Sequence, residues 1–162
     1  MSAKRKLMEG AEMNNRHICK AKRKDNNEWV EGYYVCLNGD FIYTGYAETD
    51  CGEYYPDCHE VIPETVVRCT GLEDKNGKLI FEGDILHAKT GKGWSCPIGT
   101  DIYYKVVYTR FNIQRYANTE YICFMAERNN NHLSPIHYIV ATEGAEVIGN
   151  EFDNPDLLEV ER

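Results

Sequence analysis

The sequence lacks the features by which membrane proteins, secreted proteins and several enzyme classes are recognised. No apolar run reaches the length of a membrane span, although 43% of the 162 residues are hydrophobic. Residues 1–15 are basic and polar, without the apolar stretch of a secretory signal. The patterns GxSxG, HExxH and GxGxxG are absent, and Gly91-Lys92-Gly93 lacks the residues that complete a phosphate loop. We therefore expect a soluble intracellular protein with no membrane contact, no indicated cofactor and no recognisable catalytic motif.

The cysteines do not form the pattern of a disulfide framework. Seven of them, an odd number, are scattered along the chain at Cys19, Cys36, Cys51, Cys58, Cys69, Cys96 and Cys123. Without a secretory signal, this distribution predicts reduced thiols. Three of them, Cys36, Cys69 and Cys123, lie in apolar runs, where cysteine behaves as a small buried hydrophobe.

Charge is distributed unevenly. Up to Lys24 there are eight basic and two acidic residues, a charge of +6, and from Asp25 onward ten basic and twenty-four acidic residues, a charge of −14. The acidic body repels phosphate backbones, which argues against a broad nucleic-acid-binding surface. The same charge can steer basic partners towards the protein.

Helical periodicity is scarce. No window carries a sustained apolar period near 3.6 residues, and only the C-terminus, where Asn154 can cap, Pro155 suits the first position and Leu157-Leu158 can pack, predicts one short helix. Short runs of aromatic and β-branched residues between turn signals predict a mainly β fold. The predicted strands are 17–23, 29–37, 40–44, 61–70, 79–81, 85–88, 102–109, 120–126, 136–141 and 146–148, with long loops at 47–60 and 89–101.

One turn has a strong local signal. Asn38-Gly39 separates two strand-like runs. A type I′ turn needs a positive φ at both central positions, which Asn and Gly tolerate best. The sequence therefore predicts a β-hairpin at this point.

Tyrosine is abundant, with twelve residues, six of them in the adjacent pairs Tyr33-Tyr34, Tyr54-Tyr55 and Tyr103-Tyr104. Adjacent rings in a strand point to opposite faces, so one ring of each pair should be core and the other exposed or in an interface. We expect Tyr33, Tyr54 and Tyr55 to contribute to a binding surface, either for self-association or for a protein partner.

A basic segment runs from Lys20 to Lys24, with a second basic cluster at Lys4-Arg5-Lys6. Lys22, Arg23 and Lys24 could contact phosphates by releasing counterions. The alternative, which we favour, is that exposed lysines protect a sheet edge from aggregation.

Two groups of residues resemble metal ligands. Cys51, Cys58 and His59 carry donors that zinc prefers, but the six-residue spacing is too loose for a zinc knuckle, and a fourth ligand would have to come from Cys69 or Cys96. A divalent cation would instead need several of the acidic residues together with His59 or His87. The acidic residues in question are Glu60, Glu64, Glu73, Asp74, Glu82 and Asp84, and in a turn-rich stretch such residues are more often solvated surface. Asp84 in particular suits a carboxylate that accepts hydrogen bonds from turn amides.

Three sequence blocks are distinctive: EWVEGYYV at 28–35, VIPETVVRCTGLEDKNGKLIFEGDIL at 61–86 and EVIGNEFDNPDLL at 146–158. Together they resemble the YopX proteins, which phages and prophages encode, and the resemblance covers roughly residue 16 to the end. The string TGLEDKNGK followed by IFEGDIL is the most specific part. The residues of these blocks that we take as structural are Trp29, Gly32, Thr70, Gly71, Gly77, Phe81, Gly83, Asp84, Gly149 and Asn150. We expect Trp29, Tyr34, Ile80, Phe81, Ile85 and Ile148 to belong to the core.

The resemblance implies a gene on mobile DNA and a β-rich fold whose later part is similar to an SH3-type barrel, and it carries over no catalytic residue. We expect the protein to act in the cytoplasm of a bacterial host. We expect a flexible tail at 1–15, an N-terminal β-hairpin lobe at 16–70 and a small SH3-like β-barrel at 71–162. The function expected is a non-catalytic accessory module that self-associates and binds a phage or host protein. The alternatives are nucleic-acid association, by the basic N-terminal arm or by acidic mimicry of DNA, and a metal-dependent hydrolase.

Overall fold

A computed structural model describes residues 15–91, 97–113, 119–128 and 132–158. These ranges contain two antiparallel sheets and one α-helix, so the predicted mainly β class is confirmed. The chain divides into two compact units, the first ending at Gly71 and the second beginning at Leu72. None of the described helices has the length and apolar character needed to cross a bilayer.

The first sheet has six strands in the order β4-β3-β2-β1-β5-β6. Their bounds are β1 Cys19–Lys22, β2 Trp29–Cys36, β3 Asp40–Glu48, β4 Tyr54–Glu60, β5 Val67–Glu73 and β6 Leu79–Phe81. Strand β5 crosses the boundary between the two units. Strand β1 lies between β2 and β5 and is therefore an interior strand.

The predicted hairpin at Asn38-Gly39 is confirmed. Cys36 at the end of β2 pairs with Asp40 at the start of β3. Asn38 and Gly39 have φ values of 54° and 149°, in the region that Asn and Gly tolerate best. The connection has three residues, because Leu37 also lies outside the two strands.

The loop predicted at 47–60 is wrong, because most of this segment is sheet. Strand β3 continues to Glu48, and after a turn the chain returns as β4. Pro56 made a strand look unfavourable, but β4 is an edge strand, where a missing backbone N–H breaks no ladder. The Thr49 amide donates to the Glu53 carbonyl at 2.8 Å, and the Glu53 amide donates to Thr49 Oγ1 at 3.0 Å, which closes the turn.

One buried cluster of the first unit consists of Ala21, Ile42 and Val61, which are all fully buried. Val61 forms an isolated bridge to Arg23, which brings the end of β4 beside the end of β1. The strand predicted at 61–70 begins only at Val67, because Pro63 starts a 3-10 helix, Pro63–Thr65, as proline suits a first helical position.

The second sheet has five strands in the order β10-β9-β8-β7-β11. Their bounds are β7 Asp84–Lys89, β8 Asp101–Ile113, β9 Thr119–Arg128, β10 His132–Pro135 and β11 Glu146–Asn150. The core of the second unit includes Ile80, Leu86, Ile102, Tyr104, Val106, Ala126 and Ile139. In the described residues β10 and β11 remain edges and no pairing joins them, so the expected SH3-like barrel is not confirmed.

The strand predicted at 136–141 is wrong, because this segment is the helix α1, Ile136–Glu143. Ile136 and Ile139, three residues apart, are buried, which is the spacing of one helical face. Gly144 ends the helix in the left-handed conformation, with φ 59° and ψ 46°. The short C-terminal helix is confirmed as a 3-10 helix, Pro155–Leu158.

Candidate functional site

Asp74 is a buried carboxylate whose oxygens are occupied by backbone amides. Its Oδ1 accepts the amides of Asn76 at 2.8 Å and Lys78 at 2.9 Å, and its Oδ2 accepts the amide of Val147 at 3.0 Å. Burial raises the pKa of Asp74, but these amides, that of Val147 foremost, outweigh it and hold the pKa below its usual value. Asp74 thereby connects the β5–β6 turn to β11 through hydrogen bonds. Both of its carboxylate oxygens already accept backbone amides, which makes it a poor ligand for a metal ion.

Asp84 is also structural. Its side chain is 1% exposed, and Oδ2 accepts the Phe81 amide at 2.8 Å, the role that the sequence predicts for it. The preceding Gly83 has a φ of 77°, and a Cβ atom there would lie 2.7 Å from Glu151 Oε1. The turn between β6 and β7 therefore requires both residues.

Residues of the third family block, and Gly32 of the first block, also have structural roles. Asn150 Oδ1 accepts the amides of Phe152 at 2.9 Å and Asp153 at 3.0 Å. A Cβ atom on Gly149 would lie 2.5 Å from Asn154 Oδ1, and one on Gly32 would lie 2.2 Å from a backbone oxygen. These residues fix turns and close approaches of the chain.

The other motif residues lie in strands or turns. Of the six residues predicted to belong to the core, three are buried, namely Ile80, Phe81 and Ile85, and Trp29 is half-buried. The prediction is wrong for Tyr34 and Ile148, which are 38% and 37% exposed. Ile148 lies in β11 between half-buried neighbours, where alternation turns its side chain away from the core. Tyr34 lies in the second half of β2, where residues 33–36 are exposed on both faces. Thr70 and Gly71 belong to β5, and Gly77 has a φ of 79° in the turn before β6.

The acidic residues do not converge on a metal site. Asp74 and Asp84 hold backbone amides, and Glu60 Oε1 lies 2.6 Å from Lys24 Nζ. In the part of the chain that the structure describes, no group of three or more His, Cys, Asp or Glu side chains could hold a metal ion. The geometry gives no support to a hydrolase built on these carboxylates.

The structure separates the predicted zinc ligands. Cys58 and His59 are neighbours in β4, so their side chains point to opposite faces of the sheet. Cys51 lies in the preceding turn, where its thiol is 3.0 Å from Thr49 Oγ1, and this contact lowers the pKa of the thiol. Cys69 is buried, and Cys96 lies outside the described residues.

The basic segment lies against acidic partners. Arg23 Nε donates to Asp25 Oδ1 at 2.9 Å, and Lys24 pairs with Glu60. Arg23 and Lys24 line an open cleft of about 360 Å³ together with Asp25, Cys58, His59 and Glu60. The cleft places the end of β1 and the turn after it beside the end of β4, which carries Cys58 and His59. Its cations face carboxylates from the same cleft, which weakens its attraction for phosphate.

The edge-protection hypothesis for these lysines is wrong. Strand β1 is paired on both sides, so it has no exposed edge to protect. Lys20 is only 8% exposed, and its ammonium lies 5.3 Å from the centre of the Trp29 ring. Lys22 lies at 5.5 Å from the same ring. These cation–π contacts give Trp29 a role that the sequence did not indicate.

An ion-pair cluster on the second sheet was missed by sequence reasoning. His87 Nε2 lies 2.8 Å from Asp101 Oδ1, and His87 Nδ1 lies 3.3 Å from Glu146 Oε1. His87 lowers the pKa of Asp101, whereas Lys75 first and His87 second lower that of Glu146. The residues come from three strands, and only the strand register, which the sequence does not reveal, brings them together. Because both ring nitrogens face carboxylates, the cluster has no nitrogen directed at a substrate.

The exposed tyrosines concentrate on the segment Asp40–Glu60, formed by β3, β4 and their turn, which we call the acidic hairpin. Tyr46, Tyr54 and Tyr55 are 55%, 56% and 50% exposed. Across the two strands Glu48 pairs with Tyr54, and Tyr46 pairs with Pro56. Opposed residues share a face, as do alternate residues of one strand, so Tyr46, Glu48 and Tyr54 lie on the same face.

The expectation that one ring of each tyrosine pair is core is wrong for two of the three pairs. Tyr33 and Tyr34 are both 38% exposed, and Tyr54 and Tyr55 are both exposed. The buried cluster of the first unit does not reach these positions. Tyr104 is buried and Tyr103 is not, so the expectation is confirmed there.

The comparisons with known proteins agree with the fold. The family described as YopX protein matches residues 19–159. A solved structure of similar fold is protein EF1440 from Enterococcus faecalis, with a TM-score of 0.51 and 23% sequence identity. The similarity covers 86% of this chain and 96% of that one. None of the curated proteins matches the chain.

Proposed function

The chain belongs to the YopX family, and from this premise we propose that it is a non-catalytic accessory protein that binds another protein through the acidic hairpin. The observation that carries the proposal is the exposure of Tyr46, Tyr54 and Tyr55 on the hairpin. Tyrosine offers a large apolar ring and a polar tip, and it is enriched in protein interfaces and among their strongest contacts.

The arrangement of polar groups elsewhere supports binding rather than catalysis. Asp74, Asp84 and Asn150 hold backbone amides of their own turns. His87 directs both ring nitrogens at carboxylates. A catalytic group needs a donor, acceptor or nucleophile directed at a substrate, and these side chains are directed at the protein itself.

Self-association is part of the proposal. Strand β2 and the turn after it carry the exposed apolar residues Tyr33, Tyr34, Val35 and Leu37. A second copy covering such a surface would remove apolar area from water, which favours association. Native mass spectrometry of untagged protein should show a defined oligomer, and a monomer at all concentrations would remove this part of the proposal.

We also propose that a phage or prophage encodes the protein and that it acts in the cytoplasm of a bacterial host. Membership of the YopX family supports both parts of this proposal. The closure of the second sheet into an SH3-like barrel stays a prediction. Nucleic-acid association through Lys22, Arg23 and Lys24 ranks lower, because Arg23 and Lys24 already face carboxylates. The DNA-mimic alternative requires a basic protein as partner and therefore remains compatible with the acidic hairpin.

The test is photo-cross-linking in the bacterial host. A photoreactive phenylalanine derivative replaces Tyr54 in one variant and Tyr138 in the other, because Tyr138 is 50% exposed on α1 and serves as a matched control. We expect a discrete adduct from position 54 and none from position 138. An adduct of twice the subunit mass would identify self-association, whereas another mass would identify a partner. No adduct from position 54 would contradict the proposed function.

A further inference from the structure

We infer that the partner of the acidic hairpin presents a basic, arginine-containing segment to it; this inference rests on the proposed function and names the chemistry of the partner. Between Asp40 and Glu60 the sequence has six carboxylates and no lysine or arginine. The carboxylates are Asp40, Glu48, Asp50, Glu53, Asp57 and Glu60. The hairpin is thus the most one-sided stretch of charge in the first unit, and its complement is a cationic surface.

Three of the six carboxylates are engaged within the first unit. Asp40 accepts the Tyr34 hydroxyl, which raises the pKa of Tyr34 to about 12. Asp57 accepts Thr44 Oγ1 at 2.8 Å and lies 3.4 Å from His59, and Glu60 pairs with Lys24.

The other three carboxylates surround the tip of the hairpin. Glu48, Asp50 and Glu53 are exposed, and no side-chain hydrogen bond or ion pair joins them to another described residue. Their charge is therefore available to a partner. A cation binding there would not have to break an existing contact within the described part of the chain.

The aromatic rings favour arginine over lysine. Glu48 lies opposite Tyr54 and on the same face as Tyr46, so a carboxylate stands between two exposed rings. A guanidinium is planar: it can stack on a tyrosine ring and donate two parallel hydrogen bonds to a carboxylate. An ammonium offers neither the plane nor the paired donors. Tyr43 extends the aromatic row, with its ring 5.8 Å from that of Tyr46 in an edge-to-face arrangement.

Other modes of occupying the hairpin are less favourable. Adding a strand to the β4 edge is hindered because Pro56 has no amide to donate and the Glu60 carbonyl already accepts the Lys24 amide at 3.0 Å. A second copy that placed its own acidic hairpin here would bring like charges together, which is unfavourable. The segment therefore docks on the side-chain face, apart from the apolar surface of β2.

The test uses three labelled twelve-residue peptides that differ only in four positions, occupied by Arg, Lys or Glu and separated by Gly and Ser. Fluorescence anisotropy with the full-length protein should show the Arg peptide binding about threefold or more tighter than the Lys peptide, with no binding of the Glu peptide. Raising the salt concentration from about 50 to about 300 mM should weaken binding. Equal affinities of the Arg and Lys peptides would overturn the assignment to arginine.

Variants separate a specific site from general electrostatic attraction. Glu48→Gln and Tyr54→Ala should each weaken binding of the Arg peptide by about tenfold. The controls Glu64→Gln, which removes an exposed carboxylate from the 3-10 helix of the same unit, and Tyr138→Ala should have little effect. If Glu64→Gln weakens binding as much as Glu48→Gln, the attraction is non-specific and the inference fails. Circular dichroism of each variant verifies that it is folded.

The failure of this inference is distinguishable from the failure of the proposed function. The triple variant Glu48→Gln, Asp50→Asn, Glu53→Gln also carries the photoreactive residue at position 54. Loss of the cellular adduct in this variant supports a basic partner. Persistence of the adduct shows that the hairpin binds a partner by other chemistry, which rejects the inference and leaves the proposed function in place.

Discussion

The acidic hairpin and the turns of the second unit use the same residue types in opposite ways. In the second unit, Asp74 and Asp84 point inward and accept backbone amides. On the hairpin, Glu48, Asp50 and Glu53 are exposed beside exposed tyrosines. A carboxylate that satisfies the backbone stabilises the fold, whereas one that faces solvent leaves its charge for a partner. The most specific family motif therefore marks a folding constraint, and the hairpin, which lies outside the three family blocks, carries the proposed site.

The largest effect should follow from Asp74→Ala. The substitution leaves the amides of Asn76, Lys78 and Val147 without their acceptor in a buried setting, and we expect a loss of about 3 kcal/mol in the free energy of unfolding. The control Asp50→Ala on the hairpin should change it by less than about 0.5 kcal/mol. Urea unfolding at neutral pH measures both. Equal effects would remove the distinction between the two regions.

Gly83→Ala should rank next. Gly83 has a φ of 77°, and its added Cβ atom would lie 2.7 Å from Glu151 Oε1 and 3.3 Å from Glu151 Cγ and Cδ. Because Glu151 Oε2 also pairs with Lys105 Nζ at 2.5 Å, the side chain could not move aside without losing this ion pair, and we expect a loss of about 2 kcal/mol. Gly52 in the hairpin turn has a similar φ of 83° but no heavy atom within 4 Å of the added Cβ. Gly52→Ala should therefore cost about 1 kcal/mol, the backbone contribution alone. Thermal unfolding of the two variants separates the backbone strain of a positive φ, which both positions share, from the contact with Glu151, which only position 83 has. If Gly52→Ala lowers the stability as much as Gly83→Ala does, this explanation is contradicted.

Acid should destabilise the second unit through the carboxylates whose pKa values are lowered. Folding lowers the pKa of Asp74, Asp101 and Glu146, so the unfolded chain binds protons more readily at these sites. The stability they contribute is complete above their unfolded pKa values, near 4, and is lost as the pH falls through the folded values.

The measurement is the free energy of unfolding in urea at several pH values between about 6 and 3. In His87→Ala the decline should be shallower, because His87 is the first cause of the low pKa of Asp101 and the second cause for Glu146. An identical decline in the variant would contradict this role of His87.

The smallest effect on stability should come from Tyr54→Ala. The ring is 56% exposed, so its removal should change the free energy of unfolding by less than about 0.5 kcal/mol, while binding of the Arg peptide weakens by about tenfold. This combination would sharpen the comparison, because Asp74→Ala is expected to lose stability through a residue that is not part of the hairpin. A large loss of stability in Tyr54→Ala would instead make the ring a folding element.

The sequence predicts local features of this protein well and long-range ones poorly. The Asn38-Gly39 hairpin and the role of Asp84 depend on a few neighbouring residues, and both agree with the structure. Strand β4 was missed because its favourable position, an edge that tolerates Pro56, depends on pairing with β3. Helix α1 was missed because its eight residues are rich in β-branched side chains and its Ile136 and Ile139 are buried by distant strands.

The candidate site was only partly predictable for the same reason. Tyr54 and Tyr55 could be named from their abundance and adjacency, but Tyr46 and Glu48 join Tyr54 only through the register of β3 with β4. The bulge between Tyr43 and Gly45 shifts that register by one residue, which the sequence did not indicate. The exposure of both rings at 54 and 55 likewise depends on which parts of the sheet are covered, which the sequence did not indicate.

The most direct test of the central claim is the cross-linking yield from position 54 compared with position 138 in the same host cells. If the acidic hairpin is the binding surface, position 54 gives a discrete adduct and position 138 gives none. An adduct from position 138 with none from position 54 would contradict the claim and move the binding surface to the second unit.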